Sequence, residues 1–275
     1  MDDANSSTTD ERTRTVRALI TNDDGIDSPG LAVLARVALD AGYEVTVVAP
    51  AQEASGASAS LIGGEVDGRL VMEERACPDL PSGATSYAVG ATPGLIAFLA
   101  AYEAFGPRPD LVLSGVNRGS NTGNAVLHSG TVGAAFSAMT HGIHAMAVSV
   151  ASSQPQHWET AEAVARHALP WLTEQPADGG ILNVNVPDLP VANVRGVRSA
   201  PLARFGAVQA TLDTDHAGQH TVRYAEIDPT QDAASDAGML AAGWATLTLL
   251  QAPCFDAEAR LPEHLDGLPD EPRRP

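Results

Sequence analysis

The stretch 16-VRALITNDDGIDSPGLAVLARVALDAG-42 sets out a strand, a short loop and a helix in one unbroken run. The run 16-VRALIT-21 has the apolar, β-branched character of a buried strand, and Ser28-Pro29 is a helix start, with a hydroxyl N-cap and proline at the first helical position. The helix runs over 29–42 and stops at Gly42. Between the two lies 22-NDDG-25, where two adjacent carboxylates, Asp23 and Asp24, stand at the end of the strand. Asx-Asx-Gly is ordinary turn chemistry. A pair of like charges at a strand's carboxyl end also suits a cation, and the two readings stand side by side at this point.

Outward from this unit the same rhythm repeats. A β-branched run, 44-EVTVVAP-50, precedes a small-residue loop, 51-AQEASGASAS-60, and 85-TSYAV-89 leads to a second helix at 93–105 that opens on Thr92-Pro93. Then come 110-DLVLSGV-116, a Gly/Asn/Ser loop over 117–130, a helix over 131–142, a strand 145-AMAVSV-150, a helix over 158–174 and a strand 181-ILNVNV-186. Near-continuous Val/Ile/Leu strands alternating with helices imply an α/β fold, a doubly wound and mainly parallel sheet. Beyond Pro187 the rhythm breaks into shorter strand candidates such as 244-WATLTLL-250, a β-rich C-terminal extension.

Composition narrows the function. The chain of 275 residues carries 34 Asp and Glu against 16 Lys and Arg, a formal charge of −18, and all of its cations are arginine. A field of that sign disfavours nucleic-acid polymers and anionic membranes, which call for clustered cations. No apolar run reaches the length of a membrane span, the N-terminus lacks a secretory pattern, and Cys77 and Cys254 have no metal-ligand spacing, so the expected location is the cytoplasm. The acid-rich ends, 1–14 and 256–275, are expected to be mobile tails.

In an open parallel sheet, ligands bind at the carboxyl ends of the strands. That rim collects Asn22, Asp23 and Asp24; then Ser55, Ser58 and Ser60; then Asn117, Arg118, Asn121 and Asn124; and finally 128-HSGT-131 at a helix start. Oxygen ligands without thiolate or obligatory histidine suit Mg²⁺ or Mn²⁺. Backbone amides of Ser129, Gly130 and Thr131 at a helix N-terminus favour phosphate. His128 is the one histidine placed for a functional role. The set describes metal-assisted phosphoryl transfer to water, with a small-molecule phosphate ester as partner. The loop at 115–123 matches neither the Walker pattern nor G-x-G-x-x-G.

The combination of 21-TNDDG-25, 47-VVAP-50 with 55-SGAS-58, 109-PDLVLSGVNRGSN-121 and 129-SGTVGAA-135 closely resembles the SurE survival-protein family, from about Arg17 to Asp188. The resemblance implies a Rossmann-like catalytic domain over 15–190 and an extension over 191–255 used in forming a homodimer or homotetramer. It implies a 5′/3′-nucleotidase that uses one divalent cation held by Asp23, Asp24, Ser55 and Asn117. Asp23 and Asp24 are also the first candidates for the catalytic base, with His128 second, and Asn121, Ser129, Gly130 and Thr131 match the family's phosphate-side loop. Departures fall around that centre: Ala51 and Glu53 in the serine loop, 90-GATPGLI-96, Asn124-Ala125 and His128. They leave two further readings open, a phosphatase for a non-nucleotide ester or short polyphosphate, and a non-catalytic ligand-binding protein.

Overall fold

The computed structural model describes residues 15–66, 69–204, 208–214, 220–226 and 232–254. The terminal tails read as mobile from their composition lie outside these residues. The first half of the chain runs β1 (Arg17–Thr21), α1 (Pro29–Asp40), β2 (Glu44–Pro50), three short strands β3 (Glu65–Val66), β4 (Arg69–Leu70) and β5 (Met72–Glu74), then β6 (Ala84–Val89), α2 (Pro93–Ala101) and β7 (Leu111–Arg118). A 3₁₀ turn at Gly123–His128 leads into α3 (Gly130–Met139), followed by β8 (His144–Val150), α4 (Trp158–Glu174) and β9 (Ile181–Val186). The remainder holds β10 (Val197–Ser199), the strand pair β11 (Val208–Thr214) and β12 (His220–Glu226), α5 (Asp236–Ala241) and β13 (Ala245–Leu250).

Nine strands form one sheet in the order β5-β6-β2-β1-β7-β8-β9-β13-β10. From β6 to β9 every neighbour is parallel. At the edges β5 runs antiparallel to β6, and β13 antiparallel to β9, while β10 pairs parallel with β13. The β-rich region beyond residue 190 therefore contributes two strands to the main sheet. A separate antiparallel pair joins β11 to β12.

Strand alternation distributes the apolar side chains over both faces. Ile20, Val47, Leu113 and Met146 pack with Leu31, Leu34, Val164 and Leu172 of α1 and α4. Leu19, Val48, Val112 and Ala147 pack on the other face with Ile96, Val132 and Ala135 of α2 and α3. Each such fully buried Leu or Ile contributes about 1.5–3 kcal/mol from removal of apolar surface from water, so the central strands form a rigid floor beneath the rim. Helix α2 ends at Ala101 rather than near 105, because Glu103 and Gly106 adopt positive φ and turn the chain. No helix among the described residues is long and apolar enough to cross a membrane.

Two helix starts differ in detail from the sequence expectation. Ser28 and Thr92 occupy the N-cap positions of α1 and α2 with prolines following, yet neither side chain makes the capping hydrogen bond. The Thr92 hydroxyl donates instead to the Ser60 carbonyl, 2.5 Å away, and so ties the serine loop to the sheet rim.

Candidate active site

The turn after β1 is made by Asn22. Its amide oxygen accepts from the Gly25 N–H and its amide nitrogen donates to the Gly25 carbonyl, both at 3.1 Å. Asn22 and Gly25 are both buried, so this pairing satisfies two backbone groups that water cannot reach. The neighbouring aspartates contribute no side chain to the turn.

Asp23 is only 5% exposed. One of its carboxylate oxygens accepts from the Thr131 hydroxyl at 2.6 Å and the other from the Thr131 amide at 3.2 Å. The start of α3 is thereby pinned to the end of β1. A Cβ built on Gly130 would lie 2.8 Å from Asp23 Oδ2 and 2.9 Å from Asp23 Cβ, so only glycine lets the helix start approach that carboxylate. Asp24, with its side chain 6% exposed, takes hydrogen bonds from the Arg118 amide at 3.2 Å and from Arg118 Nε at 3.0 Å. Arg118 itself is 40% exposed. A register shift in β7 lies between Ser114 and Asn117, just before Arg118.

Burial raises the pKa of both aspartates. For Asp23, desolvation is the main cause and the Asp24 charge adds to it, opposed by Thr131. For Asp24, desolvation again leads, and Glu53 adds repulsion, opposed by the Arg118 hydrogen bonds and charge. Two buried carboxylates with Glu53 close by are thus met by one half-exposed guanidinium. That local excess of negative charge is what a cation would relieve.

The serine loop is held against the pair through its backbone, the Ala54 amide donating to the Asp23 carbonyl at 2.8 Å. The next residue, Ser55, is exposed and its hydroxyl donates to Glu53 Oε1 at 2.6 Å, which leaves the oxygen's lone pairs to accept or to ligate. Asn117 donates its amide N–H to the Gly119 carbonyl at 2.7 Å, so its amide oxygen is the free end. Two carboxylates, a hydroxyl and an amide oxygen make a hard, oxygen-only donor set that fits Mg²⁺ or Mn²⁺. Among the described residues no group of three or more His, Cys, Asp or Glu is placed to hold a metal, so soft-ligand alternatives such as zinc find no support there.

The structure places the other candidates differently from one another. Ser129 caps α3, its hydroxyl accepting from the Val132 amide at 3.1 Å. With the Thr131 amide committed to Asp23, the Gly130 amide is the first-turn N–H left for an anion. His128 is exposed at the mouth, beside the exposed Leu127. Asn121 is buried and built into the framework. Its amide N–H₂ donates to Ser149 Oγ at 2.8 Å, its backbone N–H to Asn185 Oδ1 at 2.8 Å, and its carbonyl accepts from Asn183 and Asn185 at 2.8 and 3.0 Å. Those two asparagines were not singled out from sequence. The signal was present in N-V-N within an otherwise apolar strand, since two same-face amides buried on β9 need partners.

A family model described as survival protein SurE matches residues 18–209. The chain is 37% identical over 240 residues to a 5′/3′-nucleotidase SurE of Yersinia pestis, covering 86% of this chain and 90% of that one. It is 36% identical over 243 residues to a 5′-nucleotidase SurE 1 of Burkholderia lata, with the same coverage of each. Among solved structures, the SurE protein of Aquifex aeolicus superposes with a TM-score of 0.69 at 27% identity, over 86% of this chain and 93% of that chain.

Proposed function

Because the chain belongs to the SurE survival-protein family, we propose that it is a divalent-metal-dependent phosphomonoester hydrolase acting as a 5′/3′-nucleotidase on nucleoside monophosphates. The observation that carries this reading is the buried pair Asp23 and Asp24, opposed by a single guanidinium and facing the amide end of α3.

In this reading Asp23, Asp24, Ser55 and Asn117 hold one Mg²⁺ or Mn²⁺. The bound cation supplies Lewis-acid polarisation of a phosphate oxygen and a water of lowered pKa. The chain's own groups do the rest. Thr131 fixes the Asp23 carboxylate through both of its oxygens. The Gly130 amide and the Arg118 guanidinium meet the equatorial phosphate oxygens, where negative charge is concentrated throughout the reaction. Ser129 keeps the α3 start in register, and Asn121 holds the loop that leads to it. Asp24, held by Arg118, takes the proton of the attacking water. In this reading the exposed His128 gives one to the leaving oxygen. The catalytic unit spans 15–190, the extension 191–255 supports a homodimer or homotetramer, and the enzyme works in the cytoplasm.

Two measurements test this reading. Nucleoside monophosphates, p-nitrophenyl phosphate and a short polyphosphate are offered with Mn²⁺ and again with EDTA. Release of phosphate from nucleotides that EDTA abolishes is the expected result. Release from no ester would leave a ligand-binding protein. Asp24→Asn is expected to lower Mn²⁺-dependent kcat by about 10²- to 10³-fold, the scale seen when one preorganised electrostatic group is removed from a reacting centre. Unchanged turnover in that variant would remove Asp24 from the site.

A further inference from the structure

We propose that Asp236 is a positioning residue for the phosphate-side loop, holding it from the C-terminal region of the chain. Among the described residues Asp23 and Asp236 are the two carboxylate residues buried as whole residues, Asp24 being buried in its side chain. They grip the two ends of one segment. Asp23 binds Thr131, and Asp236 binds Gly123, its Oδ2 accepting from the Gly123 amide at 3.0 Å. The segment between them carries the 3₁₀ turn and the head of α3.

Asp236 is fully buried, at 0% exposure. Its other oxygen accepts from the Ala203 and Ala237 amides, both at 2.8 Å. A carboxylate in such a place is costly unless several donors meet it. Capping of α5 does not require it, because Ser235 already does so, accepting from the Gly238 amide at 3.2 Å. What the Asp236 carboxylate adds is a bond across 113 residues of sequence to the loop. A second tie runs alongside, Asn124 Nδ2 donating to the Arg204 carbonyl at 2.6 Å. From the opposite side the same loop is held at Asn121 by Asn183 and Asn185 of β9. The loop is therefore fixed at residues 121, 123, 124 and 131, and two of those ties come from beyond residue 200.

This proposal rests on the reading of Gly130 as phosphate-binding, so its test includes a readout independent of turnover. In Asp236→Asn the side-chain oxygen still serves Ala203 and Ala237, while the amide N–H₂ faces the Gly123 N–H and cannot accept it. Hydrogen exchange over 121–131 is expected to quicken by about 10- to 100-fold, the loss of one hydrogen bond to a buried charge. With p-nitrophenyl phosphate and Mn²⁺, KM is expected to rise about tenfold or more while kcat falls much less. Ser235→Ala, which weakens α5 without touching Gly123, is the control and should leave KM and loop exchange unchanged.

Faster exchange confined to 232–241 with KM unaltered would overturn the proposal. So would a Ser235→Ala variant that reproduces the full effect. If Asp236→Asn does not fold, Asn124→Ala carries the test. It should raise KM and quicken loop exchange in the same direction by a smaller factor, and no change in either overturns the proposal. If the wild-type protein hydrolyses no ester, the functional reading fails and loop exchange still decides the role of Asp236.

Discussion

Asn22 closes the turn after β1 with its own side chain, so the Asp23 and Asp24 carboxylates are left to meet Thr131 and Arg118 from elsewhere in the fold. The sequence N-D-D-G supports a turn and a charged site equally well, because Asn and Asp share the same turn chemistry. The turn falls to Asn22 and Gly25, which leaves the two aspartate side chains to the proposed cation site. Asp236 was hidden for a similar reason: Ser-Asp before a short helix reads as a cap with a first-turn acid, which is adequate local chemistry by itself. Burial separates the two cysteines in the same way. Cys77 is buried, and desolvation pushes its thiol up to about 11, whereas Cys254 is exposed. A thiol raised that far holds almost no thiolate at mildly alkaline pH, and thiolate is the reactive form. Iodoacetamide at about pH 8 should therefore label the native chain once, at Cys254, and the unfolded chain twice. Native labelling at Cys77, read by peptide mass, would contradict this.

At the level of elements, the serine loop at 51–60 is seated where α2 and α3 begin. Ser58 Oγ donates to the Leu127 carbonyl at 2.7 Å, and the Ala54 amide to the Asp23 carbonyl. Gly133, one turn into α3, faces the Ser58 backbone so closely that an added Cβ would lie 2.3 Å from the Ser58 carbonyl oxygen. Backbone cannot yield there as a flexible side chain would. Gly133→Ala should cost about 1–3 kcal/mol of stability through overpacking. Because Ser55 is three residues from Ser58, it should also weaken Mn²⁺ binding, while Gly64→Ala, whose Cβ would meet nothing nearer than the Gly90 carbonyl oxygen at 3.5 Å, should leave packing at α3 unaffected. Calorimetric titration with Mn²⁺ and thermal melts of the two variants decide the point; equal melting temperatures would refute it. From sequence the loop reads only as small and polar, since glycine in a helix gives no sign of what lies against it. Residue type marks the loop's composition, and its seat depends on a helix made more than seventy residues later.

For the whole molecule, the parallel core was legible because β1, β2, β7 and β8 are runs of apolar residues and the strands alternate with helices. The edges were not. Strand β13 carries the run 244-WATLTLL-250 that marks it as a strand, but nothing local states that it crosses to pair antiparallel with β9 and parallel with β10. Pairing partners of that kind are set by long-range packing rather than by pattern. The placement of β13 between β9 and β10 has a consequence for the order in which the molecule can be made. As the chain leaves the ribosome, β9 is finished and presents an open edge, and β10 emerges next with no strand beside it to bond. Such an unpaired apolar edge invites wrong partners. A translation product ending at residue 240 should be cut by protease between β9 and β10, where the full chain resists; equal resistance would exclude this sequence of events. Among the described residues β13 is the strand synthesised last, and it is the one that joins β10 to β9, so every newly made copy carries an exposed edge until that strand arrives.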